Sequence, residues 1–267
     1  MKLNGKVVVV TGAGNGMGRE LTLQLIKKGA KVAAVDMRAE SLAETKELAS
    51  AQGGVVETFT LDISDAAKVL ELPSEVEKKI GSADVLINNA GIIQPFVKIN
   101  ELTLDQAAKV MNVNFTGPLM LTKAFLPGFL NKSEAHILNV SSMGAYAPVP
   151  GQSVYGASKA AIKLFTEGLR SELLNTNIGV TIVFPGAIAT NIAANSGLVN
   201  MNIDSAQTSS IKTTPAPVAA AAMIDAIERN KTRITIGKDA KTMDILTRLN
   251  PIYAAKLIYK QMKSLLN

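Results

Sequence analysis

The sequence predicts an α/β fold, a doubly wound parallel sheet of about seven strands with helices on both faces. Three observations predict it. Short apolar runs recur along the whole chain, they do not alternate apolar with polar residues, and segments of helical period separate them. Continuous runs of Val, Ile and Leu suit strands buried on both faces, which a parallel sheet covered by crossover helices supplies.

The runs are VVVV at 7–10, VAAV at 32–35, VVETF at 55–59, DVLI at 84–87, HILNV at 136–140, VTIVF at 180–184 and RITI at 233–236. Helical patterns fill the intervals, as in 20–28, where Leu21, Leu25 and Ile26 share one face. Two segments break the rhythm. Residues 187–214 carry only Asp204 and Lys212 as charges and have the length of a substrate-binding loop. The tail, 239–267, is divided by Pro251 into two short amphipathic patterns. No linker, repeat or low-complexity tract interrupts the chain, so residues 1–267 read as a single domain.

At 267 residues, with 47% hydrophobic and 19% charged residues, the chain has a globular balance. It has no Cys and one His, His136, so thiolate nucleophiles, disulfide frameworks and Cys/His metal clusters are excluded and no metal is expected. A Ser-His-Asp hydrolase would depend on His136 alone, and no G-x-S-x-G elbow occurs. The net charge is +6, yet from Lys241 onward Lys241, Arg248, Lys256, Lys260 and Lys263 face only Asp244. The excess therefore sits in the tail, and the nearly balanced body argues against nucleic acid as a partner. The N-terminus runs straight into a strand without a secretory apolar region, so a cytoplasmic location is expected. No apolar run approaches the roughly 18 residues of a membrane span.

The segment VVVVTGAGNGMGRE joins a strand to a helix through Gly12, Gly14, Gly16 and Gly18. Glycines permit a tight turn and close backbone approach, and the helix N-terminus offers N–H groups to a pyrophosphate. The next strand ends in Asp36, near the roughly twenty-residue interval at which a carboxylate meets a ribose diol. Together they predict a Rossmann-type dinucleotide site. Asp36 favours NAD over NADP because it would repel a 2′-phosphate, while Arg38 is the counter-signal. Further on, Tyr155 and Lys159 stand one helical turn apart in SVYGASKAA, which sets a phenol beside a cation.

In order, TGAGNGMG (11–18), Asp36, Asp62 in LDIS, NNAG (88–91), Asn114 in NVNFTG, Ser142 in NVSSMG, YGASK (155–159) and PGAIAT (185–190) make the chain resemble the short-chain dehydrogenase/reductase family over nearly its whole length. The resemblance implies Tyr155 as general acid/base, Ser142 as the hydroxyl that binds the reacting oxygen, Asn114 as the holder of a relay water, and Lys159 as the group that binds the nicotinamide ribose and lowers the phenol pKa. Ser142 is preferred to Ser141 because it stands thirteen residues before Tyr155, the interval usual in the family it resembles. For the cofactor, the resemblance implies contacts from Gly12, Asn15, Gly16, Met17 and Gly18, from Asp36 and Arg38, from Asp62 and Ile63 at the adenine, and from Asn89, Ala90 and Gly91 on the adenosine side. Pro185, Gly186, Ile188 and Thr190 would meet the nicotinamide. On the residues alone, Asp62 also reads as N-cap of a helix starting near Ala66, and Asn114 as a helix-bending residue.

The implied reaction interconverts a secondary alcohol and a ketone. Residues 92–102, 143–152 and 187–214, which would frame the substrate, are rich in apolar residues and contain no Arg, so an uncharged, apolar small molecule is expected, with oxidation by NAD as the working direction. Two alternatives stand beside it: an NADPH-dependent ketone or 3-oxoacyl reductase, and a catalytically idle NAD(H)-binding sensor or scaffold. The resemblance also implies a homo-oligomer, dimer or tetramer, joined through helices around 104–130 and 154–175. The tail, with Leu257, Ile258, Leu265 and Leu266 near Lys256, Lys260 and Lys263, is expected to pack on its own sheet or on a neighbouring subunit, with contact to an anionic membrane as the second reading.

Overall fold

A computed structural model describes residues 1–190, 192, 196 and 213–263. Most of the expected substrate-binding loop, together with Leu265 and Leu266 of the tail, lies outside the described residues.

The first half runs β1 (Val7–Thr11), α1 (Gly16–Lys27), β2 (Lys31–Asp36), α2 (Ala39–Ser50), β3 (Val56–Thr60), α3 (Ala66–Ile80) and β4 (Val85–Asn88). Next come α4 (Leu104–Met111), a π-helical turn at Asn112–Thr116, α5 (Gly117–Leu130), β5 (Ala135–Val140), α6 (Ser153–Glu172) and β6 (Ile178–Pro185). A two-residue ladder of β7 (Ile188–Ala189) with β8 (Thr214–Pro215) precedes α7 (Ala216–Glu228), β9 (Arg233–Ile236), α8 (Lys238–Leu249) and α9 (Pro251–Met262). The main sheet has seven strands in the order β3-β2-β1-β4-β5-β6-β9, and every pairing is parallel.

The faces of the sheet explain the unbroken apolar runs. Val8 and Val10 of β1 join Leu21 and Leu25 of α1 and Met223 and Ile227 of α7 on one side. Val7 and Val9 point the other way, toward Val76 of α3, Phe125 and Phe129 of α5 and Leu169 of α6. Successive side chains enter opposite cores, so both need to be apolar. Each such Val contributes about 1.5–3 kcal/mol of burial.

One sequence expectation is corrected in α3. The N-cap is Asp65, whose Oδ1 accepts from the Lys68 N–H at 3.3 Å, and not Asp62. Asp62 instead turns the chain before the helix, its Oδ1 accepting from Ser64 N at 2.9 Å and Ser64 Oγ at 2.7 Å. The carboxylate nearer the first turn wins because its reach matches the N3 N–H.

The single histidine is structural. His136 is buried in β5, with Nε2 2.8 Å from Thr181 Oγ1 on β6. Thr181 Oγ1 donates its own proton to Lys231 O, so the imidazole is the donor in the pair. Burial, helped by the N-terminal ammonium, pulls its pKa from 6.5 down to about 4. The unfolded chain takes up this proton near pH 6.5 while the folded chain resists until about 4, so the stability is complete above pH 6.5 and is lost as pH falls toward 4. Between pH 7 and 4.5, the drop in unfolding free energy should be larger in the wild type than in His136→Gln, by on the order of 2 kcal/mol. Urea titrations at the two pH values measure it, and equal drops would contradict the assignment.

The tail folds back on its own chain. Met243 of α8 and Ala254 and Ile258 of α9 are buried with Ala147, against Met143, Tyr146 and Val149. Asn250 caps α9 through Oδ1, which accepts from Tyr253 N at 2.9 Å. Ile258, which the membrane reading needed on the outer face, is thus inside, while Ile252, Tyr253 and Tyr259 remain exposed. Among the described residues, no helix is long and apolar enough to cross a membrane.

Candidate active site

The carboxyl ends of β1 to β6 converge on one edge, and the strand order reverses between β1 and β4, where doubly wound sheets bind ligands. Gly12 opens the turn with φ +67°, a left-handed conformation that glycine adopts without strain. Gly18 packs α1 onto that turn so closely that a Cβ would overlap the Gly12 carbonyl oxygen. Thr11 Oγ1 accepts from the N–H groups of Asn89 and Ala90, both at 3.0 Å, and Asn89 Nδ2 donates to Thr11 O at 2.9 Å. The glycine turn and the NNAG segment are therefore fixed to each other.

Asp36 ends β2 at 9% exposure. Its Oδ2 accepts from Gly14 N at 3.0 Å and its Oδ1 from Arg38 N at 3.1 Å, which fixes the carboxylate at the mouth of the turn. The Arg38 guanidinium lies beside it, Nε 3.9 Å from Oδ1.

These elements enclose a cleft of about 490 Å³. Of the sequence-predicted cofactor residues, Gly12, Asn15, Gly16, Met17, Asp36, Arg38, Asp62, Ile63, Asn89, Ala90, Gly91 and Thr190 line it. Gly18 lies behind the turn, and Pro185, Gly186 and Ile188, together with Tyr155 and Lys159, which were also expected to touch the cofactor, lie outside the cleft wall. The sequence reading missed Leu61, Ser64, Lys109, Asn112 and Val113, which also line it. Lys109, Asn112 and Val113 arrive from α4 and the π-helical turn, far along the chain, and carry no local signature. The size falls in the range of small-molecule sites. Asn89 Oδ1 is buried with no hydrogen-bond partner among the described residues, an acceptor that a ligand hydroxyl would satisfy. The glycine turn, the Asp36 carboxylate and this acceptor fit a dinucleotide.

The second half of the site adjoins Gly91. A Cβ there would lie 3.1 Å from Lys159 Nζ and 3.3 Å from Asn114 Oδ1, so both polar groups lie close behind Gly91. Asn114 sits in the π-helical turn at 1% exposure. Its Oδ1 accepts from Ile92 N at 2.9 Å, and its Nδ2 donates to Ile92 O at 2.9 Å and Ser158 Oγ at 3.0 Å. Lys159 is buried in α6 and donates from Nζ to Val140 O at 3.1 Å. Burial brings its pKa down from 10.5 to about 8.

Tyr155 stands one turn before Lys159, whose Nζ is 5.9 Å from the ring centroid. Ser142 follows β5, where its Oγ accepts from Gly144 N at 3.0 Å. Gly144 leaves room for the pair, since a Cβ on it would lie 3.1 Å from Tyr155 Cε1 and 3.5 Å from Ser142 Oγ. Burial pushes the Tyr155 phenol up, and its hydrogen bond with Ser142 pulls it part of the way back. Desolvation is thus the larger influence on the phenol here, rather than the lowering expected of Lys159. Ser141 points away, donating from Oγ to Lys159 O at 2.7 Å.

The segment after β6 is held by a residue the sequence reading did not single out. Asp239, in the first turn of α8, accepts from Ala187 N at 2.7 Å, and a Cβ on Gly186 would run into its carboxylate. The contact spans 52 residues, which no local pattern reveals. Likewise, Asn88 Nδ2 donates to Asn139 Oδ1 and Asn139 Nδ2 to Thr166 Oγ1, both at 2.8 Å, a buried polar chain that ties β4 and β5 to α6.

Residues 6–198 match the family described as short chain dehydrogenase. An oxidoreductase of Mycobacterium tuberculosis, SadH, is 35% identical over 253 residues, covering 92% of this chain and 91% of its own. Mouse dehydrogenase/reductase SDR family member 7B is 39% identical over 197 residues, 72% of this chain and 61% of its own. Among solved structures, a short-chain dehydrogenase/reductase of Burkholderia phymatum in complex with NAD superposes with TM-score 0.85 at 26% identity, over 94% of this chain and 95% of that one. A short-chain dehydrogenase of Burkholderia cenocepacia in complex with NADP gives 0.81 at 27% identity, over 97% and 99%. Matched in sequence over most of its length and in fold over nearly all of it, the chain belongs to the short-chain dehydrogenase/reductase family of oxidoreductases.

Proposed function

We propose that this oxidoreductase interconverts a secondary alcohol and a ketone with NAD(H). The observation that supports the reading is the grouping of Lys159 and Asn114 beside Gly91 with Tyr155 and Ser142 beside Gly144, Lys159 Nζ standing 5.9 Å from the Tyr155 ring. A purely binding protein would need the cleft but not this second set of groups. Nicotinamide dinucleotide, when bound, supplies the hydride acceptor. Tyr155 takes the hydroxyl proton of the alcohol in oxidation and returns one in reduction. Ser142 binds the reacting oxygen, and its hydrogen bond with Tyr155 keeps phenol and substrate oxygen within reach of one another.

Lys159, with its pKa of about 8, is largely protonated at neutral pH, and its charge favours the phenolate against the cost of burial. Asn114 holds the water through which the proton leaves, and the Ser158 hydroxyl joins its carboxamide to the backbone of Tyr155. Asp36 selects NAD by accepting from the adenosine ribose and repelling a 2′-phosphate.

The substrate is uncharged and apolar, a reading supported by half-buried Ile93 and Phe96 in the segment that follows Gly91. The chain works as a single domain and as a homo-oligomer in the cytoplasm. The test is NADH formation over a panel of apolar secondary alcohols, set beside acidic and sugar alcohols. Turnover with NAD, confined to the apolar members, is the expected result. NADH binding without turnover in either direction, with either coenzyme, would favour the sensor reading instead.

A further inference from the structure

We propose that Gln94 is the positioning residue that sets Tyr155, by capping the catalytic helix from the far side of the site. The proposal rests on the acid/base reading of Tyr155 given above. Helix α6 begins at Ser153, and its N-cap residue, Gln152, makes no side-chain capping bond. The first N–H groups of a helix have no partner within it and need one when buried. Gln94 provides it from 61 residues away, its Oε1 accepting from Val154 N at 2.8 Å and from Tyr155 N at 2.9 Å.

The same side chain is held at its other end. Gln94 Nε2 donates to Gly151 O at 2.9 Å, and the Gln94 carbonyl accepts from Gln152 Nε2 at 2.8 Å. Gln94 is 1% exposed, so water does not replace these bonds. Two residues earlier in the same segment, Ile92 exchanges both of its backbone bonds with Asn114. One short stretch, from Gly91 to Gln94, therefore joins the wall of the cleft to the backbone nitrogen of Tyr155.

The bond falls on the peptide that carries the phenol, so losing it moves Tyr155 relative to Ser142. A displacement on the order of 1 Å at a reacting group costs up to about a hundredfold in rate. Gln94→Met keeps the volume and the apolar stem but removes both polar ends. Gln94→Glu keeps an acceptor for the two N–H groups, at the cost of the donor to Gly151 and of a carboxyl group buried in its place.

The first readout needs no substrate. The chain has no Trp and four Tyr, so tyrosinate absorbance is free of indole, and subtracting the Tyr155→Phe partner of each variant isolates Tyr155. In Gln94→Met, Tyr155 should titrate at higher pH than in wild type, because the hydrogen bond with Ser142 that lowers it is broken. Gln94→Glu, whose buried carboxylate itself raises the phenol, is compared by turnover instead and should keep more of the wild-type kcat than Gln94→Met. With the best alcohol of the panel, Gln94→Met should lose about 10- to 100-fold in kcat with KM and NADH affinity within about threefold. Should Gln94→Met fail to fold, Gln94→Asn, which shortens the reach by one methylene, carries the same expectations. Wild-type titration in Gln94→Met, or equal impairment of the Met and Glu variants, overturns the proposal. Failure of the acid/base reading shows separately, as turnover that survives in Tyr155→Phe with Gln94 intact.

Discussion

Replacing Tyr155 with phenylalanine is expected to lower turnover by about 10²- to 10⁴-fold, the range spanned by a general acid/base. The ring remains, so the packing beside Gly144 and the stacking distance to Lys159 are retained, and only the hydroxyl is lost. The cleft that binds the nucleotide is lined by other residues, from Gly12 to Thr190, so NADH affinity should stay within about threefold of the wild type. The two halves of the experiment separate chemistry from binding. Steady-state kinetics with the best alcohol of the panel measure the first, and NADH fluorescence titration measures the second. Turnover within tenfold of the wild type would remove Tyr155 from the proton transfer. A parallel loss of NADH binding would mean that the hydroxyl shapes the cleft rather than the reaction.

The second large effect is expected at Asp36. Its carboxylate is fixed by Gly14 N and Arg38 N, so it is not free to swing aside when a 2′-phosphate approaches. Two like charges forced together cost several kcal/mol. Asp36→Ser removes that repulsion and leaves the Arg38 guanidinium, now without its carboxylate partner at 3.9 Å, to face the phosphate. The ratio of kcat/KM with NAD to that with NADP should fall by about 10²-fold, equivalent to roughly 2.8 kcal/mol. Adding Arg38→Ala should cancel most of the gain with NADP. A wild type that uses both coenzymes equally, or an Asp36→Ser variant that keeps its NAD preference, would show that the carboxylate does not select.

Much of this was legible in the sequence because the features concerned are local. The seven strand runs, the glycine turn and the one-turn spacing of Tyr155 and Lys159 depend on residues a few positions apart. Asp36 was legible for the same reason, since the length of one β-α-β unit sets its distance from the turn. Where the reading slipped, two local solutions competed: Asp62 and Asp65 stand three residues apart before α3, and only the geometry of the first turn shows that Asp65 does the capping.

The sequence by itself therefore determined the parallel sheet, the glycine turn with Asp36 one β-α-β unit on, and the one-turn spacing of Tyr155 and Lys159, while Ser142 and Asn114 came from the family resemblance. Short-range periodicity and turn chemistry specify such features before any long-range contact forms. Only the tertiary structure decided that Gln94 caps α6, that Asp239 holds the segment after β6, that the tail buries Ile258 against its own chain, and that desolvation outweighs the Ser142 hydrogen bond at the Tyr155 phenol. Each of these depends on groups brought together from distant parts of the chain, or on water excluded by the completed fold. Neither circumstance leaves a pattern in the order of the residues.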